Sequence, residues 1–120
     1  MIHLEIKPLS VNECWQGKRF KTKAYLKYEK DLLLILPKIK MPEPPFEIYF
    51  EVGFSNKGSD LSNILKPFED ILLKQYRFND NQVYFISMKK RIVKKGNEYI
   101  SFEIKNIDIN KINIQHLKEV

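Results

Sequence analysis

Alternating apolar and polar residues predict two strands in the first half of the chain. Ile2, Leu4 and Ile6 alternate with polar neighbours as far as Pro8, and apolar side chains occupy every second position over residues 46–54. A period of two is typical of a strand with one buried face. The second segment is the clearest strand in the sequence, and its register is unambiguous.

Two other segments have apolar residues three and four positions apart, the spacing of an amphipathic helix. The first covers residues 24–36 and stops before Pro37, and the second covers residues 61–72. Pro67 lies inside the second pattern and has no N–H group to donate. Either the regular helix begins near Lys66, with Pro67 in its first turn, or a kink leaves the carbonyl of Asn63 free. We favour the first interpretation.

The last third of the chain is predicted to be extended. Residues 83–88 and 98–104 have strand character, and Gly96 and Asn97 supply turn chemistry between them, which predicts a hairpin with a basic arm. Alternating Ile107, Ile109, Ile112 and Ile114 predict an extended tail. The order strand, helix, strand, helix, hairpin indicates one α+β domain over residues 1–120. We expect a small mixed β-sheet of about four strands with two helices packed on one face.

Composition narrows the classes of protein that the chain can belong to. Its 120 residues are 43% hydrophobic, which excludes a disordered chain, and the net charge of +6 favours a polyanionic partner. One cysteine, Cys14, and two histidines exclude an intrachain disulfide and a cysteine-based zinc site. The longest purely aliphatic run, residues 32–36, is too short to span a membrane. We therefore expect a cytoplasmic protein without a membrane partner.

Asp60 and Lys66 are the first candidates for a functional site. Asp60 stands directly before the first apolar position of the second helix, where an aspartate commonly caps backbone N–H groups. A lysine side chain in a helix leans toward the N-terminus, so Lys66 is placed to reach back to Asp60. Asp70 lies about 15 Å from Asp60 along the helix, too far to share a metal ion with it, and we interpret it as a solvated charge.

Asp80 follows the predicted helix and precedes the next strand. If that helix and strand pack antiparallel, Asp80 returns toward Asp60. Two carboxylates beside a lysine can hold a divalent metal ion that activates water against a phosphodiester. The alternative is that Asn79 and Asp80 only form a turn, which their sequence also favours.

Two groups of basic residues could contact DNA phosphates, or could simply be solvated surface. The first lies in the loop of residues 10–23 and the second in the predicted hairpin. Trp15, within the first group, could stack on an opened base or pack on the core. The basic residues are Lys18, Arg19, Lys21 and Lys23 in the first group and Lys89, Lys90, Arg91, Lys94 and Lys95 in the second.

Three stretches together resemble the RusA-type Holliday junction resolvases. Asn12 with Trp15 is similar to the Asn and aromatic pair that those enzymes place after their first strand. DLSNILKPFEDIL, which begins at Asp60, is similar to their Asp-x-Asp-Asn-x-x-Lys helix start, and NDNQV, which contains Asp80, is similar to their Asp-Asp-x-x-Ile/Val segment. The resemblance implies a homodimeric endonuclease with a mixed α+β fold.

The resemblance also assigns roles to individual residues. It implies that Asp60 and Asp80 bind Mg²⁺ or Mn²⁺ and that Lys66 supports the charged transition state. Asn12 and Trp15 would meet the DNA, and Asn63 would orient ligands or water.

Two positions depart from the family pattern. Ser62 stands where the family has its second Asp, so it would hold the metal only weakly, through its hydroxyl or a bound water. Asn79 precedes Asp80 where an acidic pair is common, and we place it in the second shell with Asn63.

The function that the resemblance implies is that of a metal-dependent, structure-selective endodeoxyribonuclease. It would resolve Holliday junctions, which are four-way DNA junctions, by paired nicks in opposed strands during DNA recombination and repair. The main alternative is a catalytically weakened homologue that binds branched DNA without cutting, an interpretation that Ser62 favours. A third is a basic α+β module that binds a protein partner and no nucleic acid.

Overall fold

The computed structural model describes residues 1–108. The sequence-predicted tail residues Ile109, Ile112 and Ile114 lie outside this range. Short 3-10 turns occur at Val11–Glu13 and Asp80–Gln82. The longer elements are β1 (Ile2–Leu4), β2 (Trp15–Gln16), β3 (Phe20–Lys21), α1 (Lys23–Ile35), β4 (Phe46–Phe54), α2 (Ser62–Tyr76), β5 (Val83–Ile92) and β6 (Tyr99–Asn106).

A mixed four-stranded sheet with the order β1-β6-β4-β5 forms the centre of the fold. Strand β4 pairs parallel with β5 and antiparallel with β6, and β1 pairs antiparallel with β6. Strands β2 and β3 form a separate two-stranded hairpin. This arrangement confirms the predicted α+β class with a small mixed sheet and two helices packed against it.

The predicted hairpin between β5 and β6 is wrong, because β4 lies between these two strands. Ile48 of β4 pairs with Ile86 of β5 on one side and with Ile104 of β6 on the other. Helix α2 carries the chain from β4 to β5, and a helical crossover of this kind delivers a parallel neighbour. The opposite edge of β4 is then left for β6. The turn at Gly96, which has a φ of 95°, therefore belongs to the connection that passes the end of β4 between β5 and β6, and not to a hairpin turn.

The core lies between one face of the sheet and the two helices. All five residues with odd-numbered places in β4 are buried, from Phe46 to Phe54, whereas Glu47, Tyr49 and Glu51 on the other face are half-exposed. Phe68 of α2 lies at the centre of this core. Polar side chains that reach water therefore lie at the ends of the strands and helices and on the outer face of the sheet.

Helix α2 differs from the expectation at its start. It begins at Ser62, and Pro67 is its sixth residue, so the interpretation that places Pro67 in the first turn is wrong. The helix opens with two hydrogen bonds between residues three apart, from the Asn63 N–H to the Asp60 carbonyl at 3.3 Å and from the Ile64 N–H to the Leu61 carbonyl at 3.0 Å. Because Pro67 has no N–H, the carbonyl of Asn63 lacks its usual helical donor.

No helix within residues 1–108 combines the length and apolarity needed to cross a bilayer.

Candidate functional site

A polar cavity of about 530 Å³ lies where β4 ends and α2 begins. Its wall includes the loop after β4, the first turn of α2 and the 3-10 turn at Val11–Glu13. Among the described residues, its polar lining includes Ser10, Asn12, Glu13, Asp60, Asn63 and Glu98. Of the residues predicted for the site, the structure thus brings together Asn12, Asp60 and Asn63.

Hydrogen bonds within the loop of residues 55–59, and from Lys90 of β5, hold this loop in place. The side-chain oxygen of Asn56 accepts a hydrogen bond from the Gly58 N–H at 2.8 Å. The Lys90 ammonium group donates to the carbonyls of Lys57, at 2.7 Å, and Ser59, at 2.5 Å. Lys90, predicted as a DNA contact, therefore holds the backbone that leads directly to Asp60.

Asp60 does not cap helix α2. The capping position is Leu61, which makes no side-chain capping bond, so the capping interpretation of Asp60 is wrong. Its side chain is exposed. Its carboxylate makes no hydrogen bond or ion pair with any residue in the part of the chain that the structure describes. This carboxylate is therefore available to a ligand from solution.

Lys66 does not reach back to Asp60. Its Nζ lies 2.8 Å from Asp70 Oδ1, one helical turn further along. The hydrogen bond to Asp70 is the main cause that raises the pKa of Lys66, and the charges of Asp70, Glu69 and Asp80 add to it. Asp70 is thus an ion-pair partner and not the isolated solvated charge expected from the sequence.

Asp80 begins the 3-10 turn before β5. The Asn79 N–H donates to Gln82 Oε1 at 2.9 Å, and the Gln82 N–H donates to the Asn79 carbonyl at 3.0 Å, so the predicted turn role of this segment is confirmed. Asp80 is exposed, and its charge acts on Lys66 and Glu69. It is not among the described residues that line the Asp60 cavity. Asp80 therefore lies close enough to Lys66 for their charges to interact.

Glu69 is the acidic residue that sequence reasoning missed. It is only 9% exposed, and its burial raises the pKa of its carboxyl group. Lys66 lowers that pKa, while Asp70 and Asp80 raise it further. The signal was present in the spacing, because Glu69 lies four residues after Leu65 and three before Leu72, on the apolar side of α2.

The cavity fits a hard cation by the type of its donors. Mg²⁺ prefers oxygen ligands, keeps several waters and commonly uses only one or two carboxylates together with substrate phosphates. The Asp60 carboxylate, the Asn12 and Asn63 amides and the Ser10 hydroxyl supply such oxygens. Ser62, exposed at the start of α2, adds a hydroxyl. Within residues 1–108, however, no three His, Cys, Asp or Glu side chains form a group that could hold a metal ion.

The first basic group lies on the β2–β3 hairpin, which the sequence predicted only as a loop. Lys18 and Arg19 occupy its tip beside Gly17, whose φ of 66° makes the tight turn. Both side chains, and that of Lys23 at the start of α1, are exposed and make no hydrogen bond or ion pair with described residues. Lys21 differs, because its Nζ lies 3.0 Å from both carboxylate oxygens of Glu29.

Two aromatic rings accompany these charges on the hairpin. Phe20 is 72% exposed and Trp15 is 43% exposed, although the Trp15 and Tyr25 rings contact each other nearly at right angles, with centroids 5.7 Å apart. A Thr22 N–H bond to the Cys14 carbonyl, at 2.9 Å, closes the base of the hairpin. The hairpin therefore presents aromatic and cationic groups together.

The second basic group follows the edge strand β5 and the loop after it. Lys90 is bound to the loop before Asp60, and Arg91 Nε lies 3.2 Å from Glu51 Oε1. The ammonium groups of Lys89, Lys94 and Lys95 make no hydrogen bond or ion pair within residues 1–108. In this group, therefore, Lys90 and Arg91 make internal contacts, and the three other lysines are exposed charges.

No known protein-family model matches this chain, and no curated protein is significantly similar to it.

Proposed function

We propose that this protein is a metal-dependent endonuclease that resolves four-way DNA junctions by paired nicks in opposed strands. The observation that carries the proposal is the Asp60 carboxylate. This carboxylate has no partner within residues 1–108 and lies in the wall of a polar cavity. The basic, aromatic hairpin starts two residues after Glu13, which also lines that cavity.

Asp60 is the proposed anionic ligand of the metal, and Asn63, Asn12 and Ser62 are its neutral helpers. Bound Mg²⁺ or Mn²⁺ would supply Lewis acidity and lower the pKa of a coordinated water. Lys90 has the supporting task of fixing the loop backbone, so that Asp60 keeps its position without an ordering step when the ligand binds.

Lys66, Asp80 and Asn79 form the second part of the proposed site. Lys66 would add positive charge near the scissile phosphate, and Asp80 lies close enough to act on the Lys66 charge. The Asp70 ion pair restrains the lysine, so a phosphate would have to compete with Asp70 for its ammonium group.

DNA would contact the hairpin and the free basic groups. Lys18, Arg19 and Lys23 would contact phosphates, which positions a duplex without reading its sequence. Trp15 and Phe20 would stack on bases opened at the junction centre. Lys89, Lys94 and Lys95 would extend the surface. A homodimer would supply two equivalent sites for two symmetric nicks.

The test is cleavage of a synthetic four-way junction beside a linear duplex of the same sequence, with Mg²⁺ or Mn²⁺. We expect paired, metal-dependent cuts on the junction, at least a hundredfold slower in Asp60→Asn and in Asp80→Asn. Asp31→Asn is the matched control, because it makes the same change at an ion-paired residue of α1 and should leave cutting unchanged. Equal cutting by Asp60→Asn and the wild type would refute the assignment of the site.

The second candidate function is junction binding without cleavage. Two observations favour it, namely Ser62 in place of an acidic residue and the absence of a three-acid group within residues 1–108. Tight junction binding by the wild-type protein, with no cuts in either metal, would select this function. No binding to junction or duplex would favour the protein-partner module.

A further inference from the structure

A second groove lies at the opposite end of helix α2 from the Asp60 cavity. Its volume is about 300 Å³, and it separates the last residues of α2 from the segment that follows α1. The Tyr76 hydroxyl donates to the Pro37 carbonyl at 2.7 Å, which ties the two walls together. The described residues that line the groove carry two positive charges and no acidic side chain: Lys38, Ile39, Met41, Gln75, Tyr76 and Arg77.

Arg77 stands in a backbone conformation that does not favour arginine. Its φ of 54° and ψ of 55° are left-handed, and within residues 1–108 it is the one non-glycine residue with a positive φ. A residue that ends a helix in this conformation is usually Gly, or sometimes Asn, because a Cβ atom is strained there. The local backbone thus gives no reason for arginine at this position.

The helix dipole does not supply a sufficient reason either. A cation in the last turn of a helix interacts favourably with the terminal carbonyls. Lys74 already occupies that turn of α2 in ordinary helical conformation. The Arg77 side chain is exposed, and its guanidinium makes no hydrogen bond or ion pair with the described residues. The group is therefore available to a ligand.

The chemistry of the groove suits a phosphate. A guanidinium offers paired N–H donors to phosphate oxygens, a lysine adds a point charge and a glutamine amide adds a neutral donor. Helix α2 has 15 residues, so the groove lies about 22 Å from the Asp60 cavity. That distance corresponds to about six base pairs along the axis of a duplex.

We propose that the Arg77 groove, through its polar side chains Lys38, Gln75 and Arg77, is a further contact for the DNA phosphate backbone, separate from the hairpin and from the basic residues of β5. This inference rests on the proposed function, since the DNA is the same. The groove would contact a phosphate about six base pairs along the duplex from the reacting phosphate, on the strand that faces the protein there, and it would act on affinity without reading sequence.

The test measures junction affinity in EDTA, which prevents cutting, over a series of salt concentrations. Arg77→Gly removes the guanidinium and also relieves the left-handed strain, so the melting temperature should not fall. We expect junction affinity to decrease roughly three- to tenfold and the slope of log K against log salt to become shallower by about 0.9, the value for one lost phosphate contact. Lys38→Ala should act in the same direction.

Two control variants separate charge from folding. Arg77→Lys keeps the charge and the left-handed backbone, so the salt slope should stay close to that of the wild type. Lys27→Ala also removes one positive charge, but from a lysine of α1 paired with Asp31 at 2.6 Å, and it should leave the slope unchanged.

The outcomes distinguish this inference from the proposed function. If the wild type binds the junction and Arg77→Gly binds equally well with the same salt slope, the groove is not a DNA contact, while the proposed function stands. If the wild type binds neither junction nor duplex, both proposals fail. A loss of affinity in Lys27→Ala equal to that in Arg77→Gly would also overturn the inference, because the effect would then follow net charge alone.

Discussion

The basic residues at the tip of the β2–β3 hairpin and those in strand β5 look alike in the sequence but differ in how most of their charges are used. On the β2–β3 hairpin, Lys18 and Arg19 project from the tip without partners among the described residues, beside the exposed ring of Phe20. On β5, Lys90 holds the loop before Asp60 and Arg91 pairs with Glu51.

The difference follows from the surroundings of each group. A hairpin tip has few neighbours, so its charges face solvent and can release counterions from DNA. A strand in a sheet lies beside other strands and loops, whose carbonyls and carboxylates compete for its cations. A run of basic residues therefore defines an interface only after the internal partners of each residue have been identified.

The double variant Lys18→Ala/Arg19→Ala should have the largest effect on DNA binding. Each lost phosphate contact reduces the salt slope by about 0.9, so affinity near 0.15 M salt should fall about thirtyfold, or about 2 kcal/mol. Stability should be unchanged, because neither side chain has a hydrogen-bond or ion-pair partner within residues 1–108. Binding titrations at several salt concentrations, with urea denaturation as the control, measure both quantities. Unaltered affinity would remove the hairpin from the interface.

Lys90→Ala should act on stability first. The substitution removes two charge-assisted hydrogen bonds to the carbonyls of Lys57 and Ser59, so we expect a loss of about 1–2 kcal/mol in urea denaturation. Lys89→Ala is the matched control on the same strand and should change stability by less than about 0.5 kcal/mol. Equal stability of the two variants would contradict an internal role for Lys90.

Glu29→Gln should release Lys21 of the hairpin, which together with Lys74 is paired with the Glu29 carboxylate. Burial of Glu29 would raise its pKa, but hydrogen bonds from Lys74 and Lys21 outweigh burial and lower the pKa below its ordinary value of 4.5. A carboxyl group with a lowered folded-state pKa contributes stability above its unfolded pKa, and this contribution is lost as the pH falls through the folded-state value. The wild type should therefore lose stability below about pH 4.5 more steeply than Glu29→Gln.

The same variant should bind DNA more tightly. Freed from Glu29, Lys21 joins Lys18 and Arg19 on the hairpin, and one added phosphate contact should raise affinity about fivefold near 0.15 M salt. Lys21→Ala in the Glu29→Gln background should cancel the gain. A gain that survives this second substitution would assign it to the change in net charge.

Phe20→Ala should have the smallest effect and should act on selectivity. The ring is 72% exposed, so its removal should change stability by less than about 0.5 kcal/mol. Stacking on an opened base contributes about 1 kcal/mol, and a closed duplex offers no such base, so affinity for a junction should fall about fivefold while duplex affinity stays constant. An equal decrease for both DNAs would exclude stacking.

Within the fold, local patterns predicted each helix and strand better than their arrangement. The alternation over residues 46–54 predicted β4 with its observed bounds, because one buried face leaves a period-two signal. The β5–β6 hairpin was predicted wrongly, since a turn signal at Gly96 does not show that another strand lies between the two segments. Pairing across a sheet depends on residues distant in sequence.

The candidate site shows the same division. The sequence identified Asp60 and Asn63 as neighbours at the start of α2, because they are close along the chain. It did not reveal that Asp70, and not Asp60, pairs with Lys66, or that Glu69 is buried beside that pair. Both facts depend on which way side chains point and on what packs against them.

The sequence alone thus determined the α+β class, the type of the helices and of the strands of the main sheet, and the types of donor at the candidate site, since these follow from local periodicity and side-chain chemistry. It did not predict the short strands β2 and β3. The tertiary structure decided the central place of β4, the separation of Asp80 from the Asp60 cavity and the difference between bound and free cations. These properties depend on contacts between distant segments, and only the folded chain brings those segments together.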